Sequence, residues 1–247
     1  MTMSKFTRNI IDLCLELLYP KRCIACDKVL LNIEKEIGFC QECVKKVKLV
    51  GTDYCLKCGT PINNKEELCH NCKERVHFFE QNKAIFIYTG DMKNAMYRFK
   101  YANRRCYGKV FADHALKTYG NWIKEQKIDA IVPVPMYGPK ERRRGYNQAT
   151  VFARALGAKI NIPVEEGIVI RQTDTTAMKQ LNQLKRKKNL LKAFTTPKNI
   201  VQFRKVLIVD DIYTTGTTLD EVSKALKNGG VKEVYGMCVC IGEMQGR

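Results

Sequence analysis

Four Cys-x-x-Cys pairs, Cys23/Cys26, Cys40/Cys43, Cys55/Cys58 and Cys69/Cys72, crowd one short stretch of this 247-residue chain. A Cys-x-x-Cys knuckle turns the backbone so that both thiolates face one point, and two knuckles complete a tetrahedron around an ion. The surrounding segment, residues 21–80, is rich in Lys and lacks long apolar runs. It cannot bury a core by itself and is expected to fold around metal. We therefore expect two closed, structural zinc sites, one from Cys23, Cys26, Cys40 and Cys43, the other from Cys55, Cys58, Cys69 and Cys72. A cross-braced pairing satisfies the same spacing. A redox reading calls for a single Cys-x-x-Cys beside a βαβ unit, and a disulfide framework calls for a small secreted chain. His70, inside the last pair, is not needed as a ligand. The four remaining cysteines, Cys14, Cys106, Cys238 and Cys240, read as buried core thiols.

Three zones follow: residues 1–20 with an amphipathic helix over 4–19 stopped by Pro20, the cysteine-rich 21–80, and 81–247. In the last zone apolar strands alternate with helical stretches, the pattern of an α/β domain with a parallel sheet flanked by helices. Strands are expected at Ala84–Thr89, Ala130–Val134, Ile168–Arg171, Val206–Asp210 and Val234–Ile241. Helices are expected at Met92–Tyr101, Gly108–Lys124, Tyr146–Leu156 and Leu219–Asn228, with a basic helix over Lys179–Lys192. Apolar residues make up 45%, which excludes a disordered polyelectrolyte. No window approaches the ~20 uninterrupted apolar residues of a membrane span, and Asp12 and Glu16 interrupt the first stretch, so no membrane insertion and a cytoplasmic location are expected. The net charge of +18 calls for an anionic partner or substrate.

The most informative run is Val206–Val209, a buried strand, followed by Asp210 and Asp211 and then by the turn Thr214-Thr215-Gly216-Thr217-Thr218 leading into a helix. Open α/β sheets hold ligands at the carboxyl ends of their strands. A hydroxyl-rich turn that opens a helix N-terminus offers free N–H groups to a phosphate. Two acids would repel that phosphate, yet they suit a sugar phosphate, accepting from ribose hydroxyls while Mg2+ bridges to a diphosphate. The plain alternative is an N-capped helix with two surface acids.

This run resembles the 5-phosphoribosyl-1-diphosphate (PRPP) signature of type I phosphoribosyltransferases. The resemblance implies that Asp210 and Asp211 are the catalytic acids that hold the ribose hydroxyls. It also implies that Thr214, Thr215, Gly216, Thr217 and Thr218 hold the 5-phosphate. Hypoxanthine-type transferases carry an acid where this chain has Thr214, so a 6-oxopurine acceptor is disfavoured.

A second strand breaks at Pro133-Val-Pro135 into a loop with Met136 and Tyr137. Arg142-Arg-Arg144 and Asn147-Gln148 follow, suited to phosphate oxygens or else forming a solvated basic turn. A long polar stretch with Thr176, Gln180, Arg186 and Asn189 suits a mobile loop over a charged substrate. In this order the motifs, from Tyr19-Pro20 and the paired cysteines through Phe99-Lys100-Tyr101, Val132-Pro-Val-Pro135 and Arg144-Gly-Tyr-Asn-Gln148, are similar to the ComF (competence protein F) family. The likeness implies a small double zinc ribbon on a type I phosphoribosyltransferase fold, PRPP with magnesium as ligand, and a part in natural transformation. Its partners would be single-stranded DNA and proteins of the DNA-uptake machinery. Met136, Tyr137, Arg144, Asn147 and Gln148 would sit on the diphosphate side, with Thr176, Gln180 and Arg186 in the loop.

Basic and aromatic residues also interleave from Tyr97 to Lys109, with a second basic cluster at Lys185–Lys188, a mixture suited to single strands. Met96 and Phe99 fall on the apolar helix face and read as core. Two other functions stay open: a metabolic phosphoribosyltransferase that releases diphosphate onto a nitrogen acceptor, and a non-catalytic PRPP sensor.

Overall fold

The structure is a computed structural model that describes residues 20–31, 33–62, 66–172, 193–196 and 200–242. The expected helix over 4–19, Cys14 and the loop residues Thr176, Gln180, Arg186 and Asn189 lie outside these residues, as does the basic helix over 179–192. The centre is a four-stranded sheet of β1 (Asn82–Ile87), β2 (Ala130–Pro133), β5 (Lys205–Tyr213) and β6 (Glu233–Ile241), in the order β1-β6-β5-β2, all parallel. Strands buried on both faces read as near-continuous apolar runs, as Val206–Val209 does.

Strand alternation sorts the core. Leu207, Val209, Met237 and Val239 face one buried cluster with α4 (Gly90–Tyr101), α5 (Tyr107–Gln126) and α7 (Gln148–Ile160). Val206, Ile208 and Val234 face another with Val222, Ala225 and Leu226 of α8 (Thr217–Asn228). Within α5, Phe111, Ala112, Ala115, Tyr119 and Ile123 are buried at helical spacing.

The cysteine-rich segment carries three short helices, α1 (Glu34–Ile37), α2 (Gln41–Val44) and α3 (His70–Glu74). Its first half sends Ile24, Leu30 and Phe39 into the cluster of α4 and α5. Its second half packs Val50, Cys55, Cys58 and Cys69 with Phe79, Tyr213, Leu219 and Cys238, toward α8. Between them, residues 48–50 run antiparallel along β1: the Ile87 N–H donates to Lys48 O (2.9 Å) and the Val50 N–H to Ile85 O (3.0 Å). On the opposite rim, Ile131 and Val164 form a bridge beside β2.

Four sequence expectations need correction. Residues 168–171 do not join the parallel sheet: β3 (Ile170–Arg171) pairs antiparallel with β4 (Phe194–Thr195), and Ile170 is exposed. The helix expected from Tyr146 begins at Gln148, because the Asn147 side chain caps it by accepting from the Ala149 N–H (3.0 Å). A separate helix, α6 (Gly138–Arg144), fills what reads as loop, started by Pro139 and stopped by Gly145 at φ 84°. Cys238 and Cys240 are buried as expected, whereas Cys106 is exposed.

Candidate functional site

The two cysteine tetrads assemble in sequential order. The four thiols of Cys23, Cys26, Cys40 and Cys43 lie within 4.8 Å of one another, as do those of Cys55, Cys58, Cys69 and Cys72. All eight are free of disulfides. A tetrahedral ion with Zn–S bonds of ~2.3 Å separates its sulfurs by about 3.8 Å. The Cys26–Cys40 and Cys58–Cys69 sulfurs are 3.7 and 3.6 Å apart, so both tetrads fit structural zinc. His70 stays outside, exposed beside Glu74 (3.4 Å).

At the carboxyl edge of the sheet, β5 continues beyond its expected end at Asp210, through Asp211 to Tyr213. Successive strand positions face opposite sides. Asp211 meets the ammonium of Lys100 on α4 at 2.9 Å, whereas Asp210 stands in register with Cys238 of β6. One Asp210 oxygen accepts the Asp211 N–H (2.8 Å). Burial and the neighbouring Asp211 charge push the Asp210 carboxyl up to about 7, against the opposing pull of the Asp211 N–H, Lys100 and Arg171. For Lys100, burial pulls downward, but Asp211 and Asp210 outweigh it and the ammonium is held above its ordinary value.

The turn after β5 exposes Thr214 and Thr215, and Gly216 takes φ 77° as the N-cap of α8. No side chain caps this helix end, which leaves its first N–H groups to an outside acceptor. The Thr215 and Thr217 hydroxyls are 3.0 Å apart. The half-buried Met136 and Tyr137 follow β2, beside β5 at the same sheet edge.

The remaining residues expected on the diphosphate side are largely engaged with the protein. Asn147 donates to Val134 O (2.9 Å) besides capping α7, and Gln148 donates to Phe99 O (3.4 Å). Arg144 donates to the Gln148 side chain and to the Tyr101 hydroxyl (3.2 Å), with its guanidinium 4.8 Å from the Tyr101 ring centre. Tyr97 and Tyr101 are exposed, their ring centres 5.1 Å apart, whereas Met96 and Phe99 are buried as their helix face implies.

Sequence reasoning missed four residues that shape this edge. Lys100 is the partner of Asp211, signalled in the sequence by the Phe99-Lys100-Tyr101 run and the basic and aromatic stretch around it, but not as a partner of the acids. Arg75, His77 and Asp220 meet beside the turn. Asp220, 1% exposed, accepts from His77 Nδ1 (3.1 Å), from the Phe78 N–H (3.0 Å) and from Arg75 (3.0 Å).

Residues 14–82 match the family described as a double zinc ribbon domain, and residues 108–247 match the phosphoribosyl transferase domain family. The chain is 33% identical over 218 residues to competence protein F of Haemophilus influenzae, covering 86% of this chain and 93% of that one. It is 27% identical to the DNA utilization protein YhgH of Escherichia coli, over 82% of this chain and 90% of the relative. Competence protein ComFC of Bacillus subtilis is 25% identical, over 84% of this chain and 89% of its own length.

Proposed function

The chain belongs to the competence protein F family, and on that premise we propose that it binds PRPP with Mg2+ and assists the uptake or handling of single-stranded DNA in natural transformation. The observation that carries this reading is the strand-end pair Asp210 and Asp211 leading into an uncapped, hydroxyl-bearing helix start at Thr214–Thr218. The turn's N–H groups and hydroxyls suit a 5-phosphate, and the acids suit the ribose hydroxyls and, through water, a diphosphate-bound Mg2+. The loop at Met136 and Tyr137, which follows β2 beside β5, would take the diphosphate side.

The DNA part draws on relatives named for competence and DNA utilization and on the exposed Tyr97 and Tyr101 rings, with Arg144 stacked on the second. Rings and cations in this arrangement suit unpaired bases and their backbone. No helix among the described residues is long and apolar enough to cross a membrane, and unpaired thiols suit the reducing cytoplasm. Proteins of the uptake machinery would be its neighbours there.

A carboxyl titrating near 7 is also suited to taking a proton from a nitrogen nucleophile. That favours a second reading, a metabolic phosphoribosyltransferase, over a silent PRPP sensor. Diphosphate release from PRPP, followed with a panel of nitrogen acceptors and with or without single-stranded DNA, tests the proposal. Release that requires DNA supports it, release with a small acceptor alone supports the metabolic enzyme, and unaltered transformation after Asp210→Ala/Asp211→Ala in a competent host overturns a PRPP-dependent role. Tyr97→Ala/Tyr101→Ala is expected to weaken single-strand binding about tenfold in a fluorescence titration.

A further inference from the structure

The turn that opens α8 is not held by its own strand and helix alone. Asp220 sits in the first turn of α8, its N–H bonded to Gly216 O (2.9 Å). Its side chain reaches back into the cysteine-rich segment. His77 Nδ1 lies 3.1 Å from both carboxylate oxygens, and since a carboxylate only accepts, the ring nitrogen is the donor. One arm of the Arg75 guanidinium donates to Asp220 Oδ2 (3.0 Å), and the other to the carbonyl of Thr215 in the turn (3.3 Å). His77 also walls the turn from the side: a Cβ on Gly216 would meet its Cε1 at 3.1 Å.

These contacts begin beside the second cysteine tetrad. Arg75 follows Cys72 at the end of α3, where its N–H donates to Asn71 O (3.0 Å). A cavity of about 340 Å³ separates the second tetrad from the turn, lined by Cys58, Cys69 and Cys72 on one side and by Thr214 and Thr215 on the other. Electrostatics gives the link a direction. A helix N-terminus favours a negative charge, but Asp220 already places one there, and a phosphate at the same end would feel its repulsion. Arg75 offsets that charge and fixes the turn's carbonyl at once.

We propose that Arg75, His77 and Asp220 are positioning residues through which the second cysteine tetrad holds the Thr214–Thr218 turn in shape for a sugar 5-phosphate. This rests on the assignment of that turn to PRPP. The first tetrad makes no such contact among the described residues; its links run to α4 and α5.

The test is titration calorimetry on the full zinc-loaded chain with Mg2+, using PRPP, ribose 5-phosphate and inorganic diphosphate as separate probes. Arg75→Ala and Asp220→Asn are expected to retain two zinc ions per chain. Arg75→Ala, which leaves the Asp220 charge unopposed beside the turn, should weaken PRPP and ribose 5-phosphate together by about tenfold, the scale of a lost charged hydrogen bond. Asp220→Asn should weaken them by less because it also removes that charge, while diphosphate binding stays within about twofold in both. Arg75 is 44% exposed, so Arg75→Ala decides the matter if Asp220→Asn fails to fold. Unchanged ribose 5-phosphate affinity, or an equal loss for all three probes, overturns the proposal. A wild-type chain that binds neither sugar phosphate overturns the assignment of the turn, whatever the variants do.

Discussion

The first cysteine tetrad leans on α4, the link after it and β1: Arg98 of α4 donates to the carbonyls of Ile24 and Ala25, Arg104 between α4 and α5 pairs with Asp27 (2.9 Å), and Phe39 packs edge-on against Phe86 of β1 (5.8 Å). The second leans on the turn that opens α8, through Phe79 against Tyr213 (6.4 Å) and through the Arg75 bridge to Thr215. Two tetrads of one chemistry thus do different work, set by what each touches. The first completes a core, and the second is built into the wall of the candidate site.

Replacing the central ring of each half should separate them most. Phe39→Ala removes a ring that is 2% exposed and is expected to cost about 3–5 kcal/mol in urea unfolding. Sugar-phosphate affinity in the folded fraction should be unchanged. Phe79→Ala, on a ring that is 0% exposed, should cost about the same 3–5 kcal/mol and also lower that affinity, because Phe79 stacks on His77 at 4.8 Å. Equal affinities in the two variants would erase the distinction.

Acidity should divide the regions with opposite signs. Asp210 keeps its proton up to about 7, whereas in the unfolded chain it ionises near its ordinary value of 3.8. Its contribution to stability is present at low pH and is lost as pH rises through about 7. His114, beside the first knuckle and bonded to Ile37 O (2.8 Å), is held below its ordinary value of 6.5 by burial. Its contribution is present above that value and lost as pH falls below it. Across thermal melts from pH 5 to 8.5, Asp210→Asn should remove a loss of stability that accrues between pH 5 and about 7 and levels off above it. The melts should also show a decline at the acid end that His114→Gln flattens, each by a few degrees. Over the same range PRPP affinity should rise with pH, since an ionised Asp210 accepts from the ribose hydroxyls better than a protonated one.

The smallest effect sets the baseline. The Lys28–Glu42 pair on the first knuckle, 63% and 67% exposed, is screened by water. Lys28→Ala should leave both melting temperature and ligand affinity where they were.

How far the chain could be read in advance follows the range of the forces involved. The four parallel strands were legible because Val206–Val209 and its neighbours are continuous apolar runs, and a strand buried on both faces needs nothing else. Both tetrads were legible because knuckle spacing is local. The antiparallel pairing of β3 with β4 was not, since two-residue strands carry no periodicity. Asn147 and Gln148 were read as ligand groups because amides beside arginines look alike in sequence whether they face a phosphate or a backbone carbonyl; the structure directs them to Val134 and Phe99. The junction of Arg75 and His77 with Asp220 was invisible for a different reason. His77 and Asp220 lie 143 positions apart, each unremarkable alone, and only the packing of the second tetrad's segment on α8 brings them together with Arg75.

Residues 48–50, threaded between the two knuckles, lie along the outer rim of β1. A strand rim with open amide groups is a template on which another chain can grow. Chelation would therefore do more than loosen the two tetrads: by freeing residues 48–50 it would bare this rim of β1 to pairing with another chain.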